Sequence, residues 1–113
     1  MKHDPFDLKQ QELEQEKRKL RDRLDRDNEE GDLKWLCATK RGRRIVWRLL
    51  EQSGVFRLSF DPNALKMAFA EGNRNYGNRI LAMLQSVAPE AYITMTKEAN
   101  ERRESDDAAR KSE

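Results

Sequence analysis

The sequence predicts an all-α fold, with a small core of three or four helices and a charged N-terminal helix that projects from it. Apolar residues recur at helical spacing in several stretches of the 113-residue chain. Only 36% of the residues are hydrophobic and 39% are charged, well above the usual charged share of about 25%. Because the apolar residues cluster between Leu33 and Met95, we expect only this part of the chain to bury a core.

The charged residues divide the chain into three segments. Residues 1–31 hold eight basic and ten acidic residues, a net charge of −2. Residues 32–96 hold ten basic and five acidic residues, a net charge of +5, and residues 97–113 hold five and six, a net charge of −1. We therefore predict a charged N-terminal helical arm over residues 1–31, a helical core domain over residues 32–99 and a charged C-terminal tail over residues 100–113.

The arm is predicted to be one helix that begins at Asp4-Pro5, where Asp4 is a candidate cap and Pro5 suits the first helical position. Its apolar residues form a thin seam, because the intervening seam positions are polar. The seam residues are Phe6, Leu13, Leu20 and Leu24. Three arrangements fit this pattern: a solvated single helix, a helix docked on a neighbouring subunit, and a self-associating coiled coil. Since isolated helices of this length are marginal in water, we predict that the arm lies on a neighbouring chain rather than on its own core.

Two short helices are predicted to follow. Gly31-Asp32 breaks the first helix and caps a second one from Leu33 to about Ala38, whose inner face is supplied by Leu33, Leu36 and Cys37. A third helix runs from Lys40 to Ser53. Thr39 is its candidate N-cap, and Gly54 stands where a left-handed residue ends many helices.

A longer helix is predicted to begin at Asp61-Pro62, after an extended connector at residues 55–60 whose aromatic side chains fill the core. Its predicted inner stripe is Leu65, Ala68, Phe69, Gly72, Tyr76, Ile80, Met83, Leu84 and Val87. Glycine inside a helix costs about 1 kcal/mol relative to alanine, so Gly72 on this stripe needs a reason. We predict a close helix crossing between Gly42 and Gly72.

The last helix is predicted to follow the turn at Ala88-Pro89-Glu90. Tyr92, Met95 and Ala99 face inward at helical spacing. After about Arg103 the sequence has no apolar face, which predicts a tail.

Few residues have the chemistry that catalysis needs. His3 is the only histidine and Cys37 the only cysteine, which excludes histidine-rich metal sites, thiolate zinc sites and an intramolecular disulfide. The glycines of residues 72–79 lie within a helical pattern, not in a phosphate-binding loop. We expect no enzymatic activity, cofactor, metal or small-molecule substrate. No apolar run approaches the ~18 residues of a membrane span and the N-terminus lacks the features of a signal peptide, so we expect synthesis in a cytosol.

Basic residues are concentrated on the third helix, with five of them and no acid between Lys40 and Arg48. Arginine beside tryptophan suits either phosphates and stacked bases or an acidic protein surface with an aromatic anchor. The predicted partner-binding residues of this helix are Lys40, Arg41, Arg43, Arg44, Trp47 and Arg48. A repeated Gly-Asn-Arg sequence adds Arg74 and Arg79, although Arg79 fits an internal salt bridge to Glu51 or Asp32 equally well.

Two stretches of the chain resemble a known family. The first consists of Leu33–Leu36, Arg41–Leu50 and Gly54–Phe56, and the second of Ala68–Leu81 followed by Tyr92 and Met95. Over roughly residues 32–99 they resemble the Bbp-nineteen-like domain of short-tailed phages. The matching positions are Gly42, Arg43, Gly72, Arg74 and Gly77. The resemblance implies a structural or morphogenesis protein of a tailed phage, and it brings no catalytic residues with it.

Residues and resemblance together lead to one expectation and two alternatives. We expect a small virion protein, assembled in the host cytoplasm, that docks on the portal, the tail or the internal ejection machinery. The basic helix and the N-terminal arm would bind these other virion proteins, in multiple symmetric copies. The alternatives are a DNA-binding protein, which contacts the packaged genome or acts as a regulator, and an assembly factor that is absent from the mature particle.

Overall fold

The computed structural model of the protein describes residues 5–112. Within that range it contains four helices and no strand: α1 Pro5–Cys37, α2 Lys40–Ser53, α3 Ala64–Val87 and α4 Pro89–Lys111. The predicted all-α fold is therefore confirmed. The candidate cap Asp4 and the only histidine, His3, lie outside the described residues.

The chain divides into two units, residues 1–32 and residues 33–113. The first unit is the greater part of α1, a helix with charged residues on every side. Its described side chains are exposed, except for a half-buried Glu30. The exposed side chains include the predicted seam of Phe6, Leu13, Leu20 and Leu24.

The second unit contains the only cluster of buried apolar side chains among residues 5–112. Helices α2, α3 and α4 pack against one another in all three pairs, and the end of α1 adds Cys37. The buried cluster consists of Cys37, Val46, Leu50, Val55, Leu84 and Met95. Leu33, Leu36 and Tyr92 pack against its edge, as the helical spacing predicted.

Three predicted helix boundaries are wrong. Gly31-Asp32 does not break α1, which continues to Cys37, because a single exposed glycine costs only about 1 kcal/mol within a run of good helix formers. Helix α3 begins at Ala64 rather than at Asp61, since Asn63 accepts hydrogen bonds from the amides of the first turn. Helix α4 runs to Lys111, so most of the predicted C-terminal tail is helical and exposed.

The predicted crossing of Gly42 and Gly72 is also wrong. Gly72 is exposed, and a Cβ atom added there would meet nothing within 4 Å. The close crossing of α3 instead uses Gly77, where an added Cβ would clash with the Oγ of Ser53 and lie 2.7 Å from its Cβ. Gly42 is buried for a different reason, because a Cβ there would overlap the carbonyl oxygen of Leu36 at the end of α1.

The predicted inner stripe of α3 is only partly buried. Leu84 is fully buried and Ile80, Met83 and Val87 are half-buried, whereas Leu65, Phe69 and Tyr76 are exposed. The connector differs from its prediction in a similar way. Val55 enters the core and Phe56 stacks on Trp47, but Phe60 is exposed and does not fill the core.

Candidate functional site

Helix α2 is capped at both ends and anchored in the core, which sets the direction of its side chains. The Thr39 hydroxyl caps its first turn by accepting a hydrogen bond from the Gly42 amide over 3.1 Å. At its other end Gly54 has a φ of 79°, and its amide donates to the Glu51 carbonyl. Val46 and Leu50 anchor the inner face in the core. The predicted boundaries of this helix and both of its caps are confirmed.

Arg43, one of the predicted partner-binding residues, points into the molecule instead. Its Nε donates to Glu98 Oε1 of α4 over 2.6 Å, and its Nη1 donates to the Cys37 carbonyl over 3.1 Å. Only 17% of the Arg43 side chain is exposed, and Glu98 is buried. Because each charge neutralises the other away from water, this pair ties α2 to α4 and to the end of α1. Arg43 is therefore engaged within its own chain, and its predicted part in binding a partner is left with only the small exposed fraction of its side chain.

The other cations of α2 do point outward. Lys40, Arg41, Arg44 and Arg48 are exposed. None of them has an acidic partner within 4.0 Å among residues 5–112. These four residues, called the basic face below, therefore place four uncompensated positive charges within less than three helical turns.

Trp47 borders the basic face but is half-buried. Its indole stacks on the Phe56 ring, with the ring centroids 5.0 Å apart and the planes 27° from parallel. Trp47 also lines a cleft between α2 and α4, together with Glu51, Arg102 and Arg103. Since Phe56 already covers one face of the indole, Trp47 has only part of its surface left for a partner.

The two arginines predicted on α3 lie in different surroundings. Arg74 is half-buried and its Nη1 lies 3.4 Å from Glu71 Oε1, one helical turn away. Arg79 is exposed, and within residues 5–112 it forms no salt bridge to Glu51 or Asp32, so that alternative is wrong. Arg79 therefore remains available to a partner, whereas Arg74 is partly engaged within its own helix.

A second surface was missed by the sequence reasoning. A groove between α2 and α3, called the α2–α3 groove below, is lined by Leu49, Gln52, Ser53, Asn73, Tyr76 and Ile80. It adjoins a hollow that shares three of these residues and adds Arg57, Leu58 and Phe69. The signal for it in the sequence was the length of the apolar stripe on α3, which is longer than the buried core can cover.

Cys37 lies at the centre of the core and not at a surface. Burial raises the pKa of its thiol, and the nearby Arg43 guanidinium lowers it by a smaller amount. A buried thiol with a raised pKa stays protonated, so Cys37 serves as a small core residue. Within residues 5–112, no group of acidic, histidine and cysteine side chains is placed to hold a metal ion, and no helix is long and apolar enough to cross a membrane.

A known protein family matches the part of the chain that contains these surfaces. The model of a family described as Bbp19-like phage protein matches residues 33–97, more than half of the chain. The match covers the end of α1, all of α2 and α3 and the first part of α4, and it contains both the basic face and the α2–α3 groove. No curated protein and no solved structure matches the chain.

Proposed function

Since the chain belongs to the family of Bbp19-like phage proteins, we propose that it is a small, non-enzymatic structural protein of the virion. In this proposal it docks on other virion proteins, at the portal, the tail or the internal ejection machinery, and is present in several copies. The basic face and the N-terminal arm make the contacts. It is assembled into the particle in the host cytoplasm.

The observation that carries this proposal is the large amount of apolar surface exposed by such a small core domain. Trp35 is 77% exposed, and several further large apolar residues are exposed in the second unit. They include Leu49, Leu58, Phe60, Leu65, Phe69 and Tyr76. Four of them, Leu49, Leu58, Phe69 and Tyr76, line the α2–α3 groove and the hollow that adjoins it, and contiguous exposed apolar surface marks protein interfaces. A component that is covered by neighbours in an assembly fits this surface.

The basic face gives the proposed contact its positive charge. Four unpaired cations on one rigid helix favour a partner surface that is acidic, because complementary charges speed encounter and reject wrong partners. Trp47 stands beside them with part of its ring free, as an aromatic anchor at the edge of an interface would.

The test is charge reversal on the basic face in phage particles. We expect the double variant Arg44→Glu/Arg48→Glu to be absent from purified virions while its circular dichroism stays that of the parent, since both side chains are exposed. The matched control is Lys97→Glu/Lys111→Glu, which makes the same change of charge at exposed positions of α4. Mass spectrometry of purified virions measures incorporation. Normal incorporation of the Arg44/Arg48 variant would remove the basic face from the mechanism.

The same unpaired cations give DNA binding as the second candidate. Specific DNA interfaces are strongly positive and polar, which fits the basic face but leaves the exposed apolar side chains without a role. If DNA is the partner, purified protein binds duplex DNA with an affinity that falls steeply with salt, and the Arg44→Glu/Arg48→Glu variant loses this binding. Parent protein that is missing from virions altogether would instead identify an assembly factor.

A further inference from the structure

We infer that the α2–α3 groove binds the first part of α1, residues 5–16, from a second copy of this chain. The inference deepens the proposed function and rests on it, since it takes the protein to be an assembly component and names the neighbour that receives its arm. The contact is head-to-tail: the arm of one copy lies in the groove of the next.

The groove has the composition of a helix-binding site. Leu49 from α2 and Tyr76 from α3 stand on its two sides, with half-buried Ile80 beside Tyr76 and small or amide side chains between them. Both Leu49 and Tyr76 are exposed in the single chain. An amphipathic helix that inserts one apolar stripe into such a groove covers these side chains.

The one charged residue in the lining, Arg57 of the adjoining hollow, favours an acidic occupant. Together, the residues lining the groove and the adjoining hollow include Arg57 and no carboxylate. Arg57 is exposed, and its Nη2 donates to the backbone carbonyl of Glu51 over 3.2 Å without forming a salt bridge to any carboxylate among residues 5–112. Its unneutralised charge favours a partner helix that carries acidic residues beside its apolar stripe. A basic or uncharged helix would gain less from the same groove.

The first part of α1 meets both requirements. Residues 5–16 contain four acidic residues and one basic residue, a net charge of −3, with Leu13 exposed among three glutamates. The next segment, residues 17–26, contains six basic and two acidic residues, a net charge of +4. Both segments carry apolar seam residues, so charge decides between them, and it selects residues 5–16.

A second copy is the occupant because every copy carries both halves of this contact. The seam residue Leu13 and the groove residues Leu49 and Tyr76 are all exposed in the single chain. A head-to-tail contact uses two different surfaces of the same protein, and repeating it generates a ring when the rotation closes. Such a ring agrees with a component that is present in several copies around a symmetric virion structure.

The experiment is a complementation test with two purified variants. Leu13→Asp spoils the arm and Tyr76→Asp spoils the groove, and each variant keeps the other surface intact. Analytical ultracentrifugation should show concentration-dependent association of the parent, and only the 13.3 kDa monomer for either variant alone. An equimolar mixture of the two variants should restore a species of twice the monomer mass, because one good arm then meets one good groove.

Matched controls place the same substitution at exposed apolar residues away from the proposed apolar stripe and groove. Leu8→Asp changes an exposed leucine on a different side of α1 from Leu13, and Ile93→Asp changes an exposed residue of α4. Both should associate like the parent. Leu49→Asp is a second groove variant, to be used if Tyr76→Asp alters the circular dichroism.

Three results would overturn the inference: a parent that stays monomeric throughout, a variant of either surface that associates like the parent, or a mixture that fails to restore the dimer. If Leu13→Asp still associates while Tyr76→Asp does not, the two copies meet groove to groove instead. Incorporation into virions is measured separately, so self-association and docking on other phage proteins can fail independently. A parent that stays monomeric yet is incorporated normally into virions would refute the arm-in-groove contact and leave the proposed function standing.

Discussion

The two halves of α3 have the same apolar periodicity and very different surroundings. In the second half Leu84 is 0% exposed, and Gly77 at its start lies against Ser53 of α2. In the first half Phe69 is 73% exposed, and nothing lies near Gly72. An apolar stripe therefore identifies the face of a helix that can be buried, but it does not tell which molecule buries it.

This difference separates residues that stabilise the fold from residues that the single chain leaves exposed. The second half of α3 belongs to the core cluster with Leu50 and Met95, so its apolar side chains stabilise the single chain. The first half leaves most of its large apolar side chains exposed, as the proposed contact with a second copy requires. Substitutions in the two halves should accordingly affect stability in one case and association in the other.

The largest expected difference is between Leu84→Ala and Phe69→Ala. Truncating the buried leucine should lower the free energy of unfolding by about 2–5 kcal/mol, because it removes apolar contacts and leaves a cavity. Truncating the exposed phenylalanine should change it by no more than about 0.5 kcal/mol. Urea unfolding followed by circular dichroism measures both. Equal losses would show that Phe69 is covered within the single chain, and the distinction between the two halves would then fail.

The second comparison uses one substitution at both glycines of α3. Gly77→Ala should destabilise the protein by about 1–3 kcal/mol, because the new methyl group has no room beside the Ser53 side chain. Gly72→Ala should stabilise it by up to about 1 kcal/mol, since alanine favours the helix and meets nothing at this position. Thermal unfolding of both variants beside the parent gives the two signs. A destabilised Gly72→Ala protein would mean that another backbone approaches there after all.

The features that were predicted best from the sequence are the helix bounds and caps that local signals determine. Helix α2 has a capping threonine before it, a left-handed glycine after it and an apolar stripe in between, and its bounds of Lys40–Ser53 agree with the prediction. Gly31 shows the limit of such signals. A glycine followed by a possible cap resembles a helix end, but good helix formers on both sides carry α1 through it.

Contacts between residues that are far apart in the sequence could not be predicted from the spacing of residue types. Arg43 and Arg44 are adjacent and identical in type, yet Arg43 reaches Glu98, 55 residues later, while Arg44 is exposed. One residue of a helix corresponds to a rotation of about 100°, which suffices to separate a core ion pair from the exposed basic face. Whether Gly77 or Gly72 lies at the crossing also depends on the position of α2. The sequence of α3 alone does not give that position.

The smallest expected effect compares the N-caps of the two helices. The Thr39 hydroxyl holds the Gly42 amide, and Gly42 is packed against the end of α1, so the first turn of α2 is part of the core domain. The Asn63 side chain accepts hydrogen bonds from the amides of Leu65 and Lys66 over 3.0 and 3.2 Å, but the first turn of α3 is exposed.

Thr39→Ala should therefore cost about 1 kcal/mol of global stability, the usual value for a lost cap. Asn63→Ala should change global stability by only a few tenths of a kcal/mol, because the turn it caps can fray without disturbing the core. Its effect should appear locally, as faster amide exchange at the start of α3 with unchanged exchange of the residues around Leu84. Hydrogen exchange on the two variants measures this directly. If Asn63→Ala lowers global stability as much as Thr39→Ala does, the first half of α3 is coupled to the core and its exposed stripe cannot fray independently of the fold.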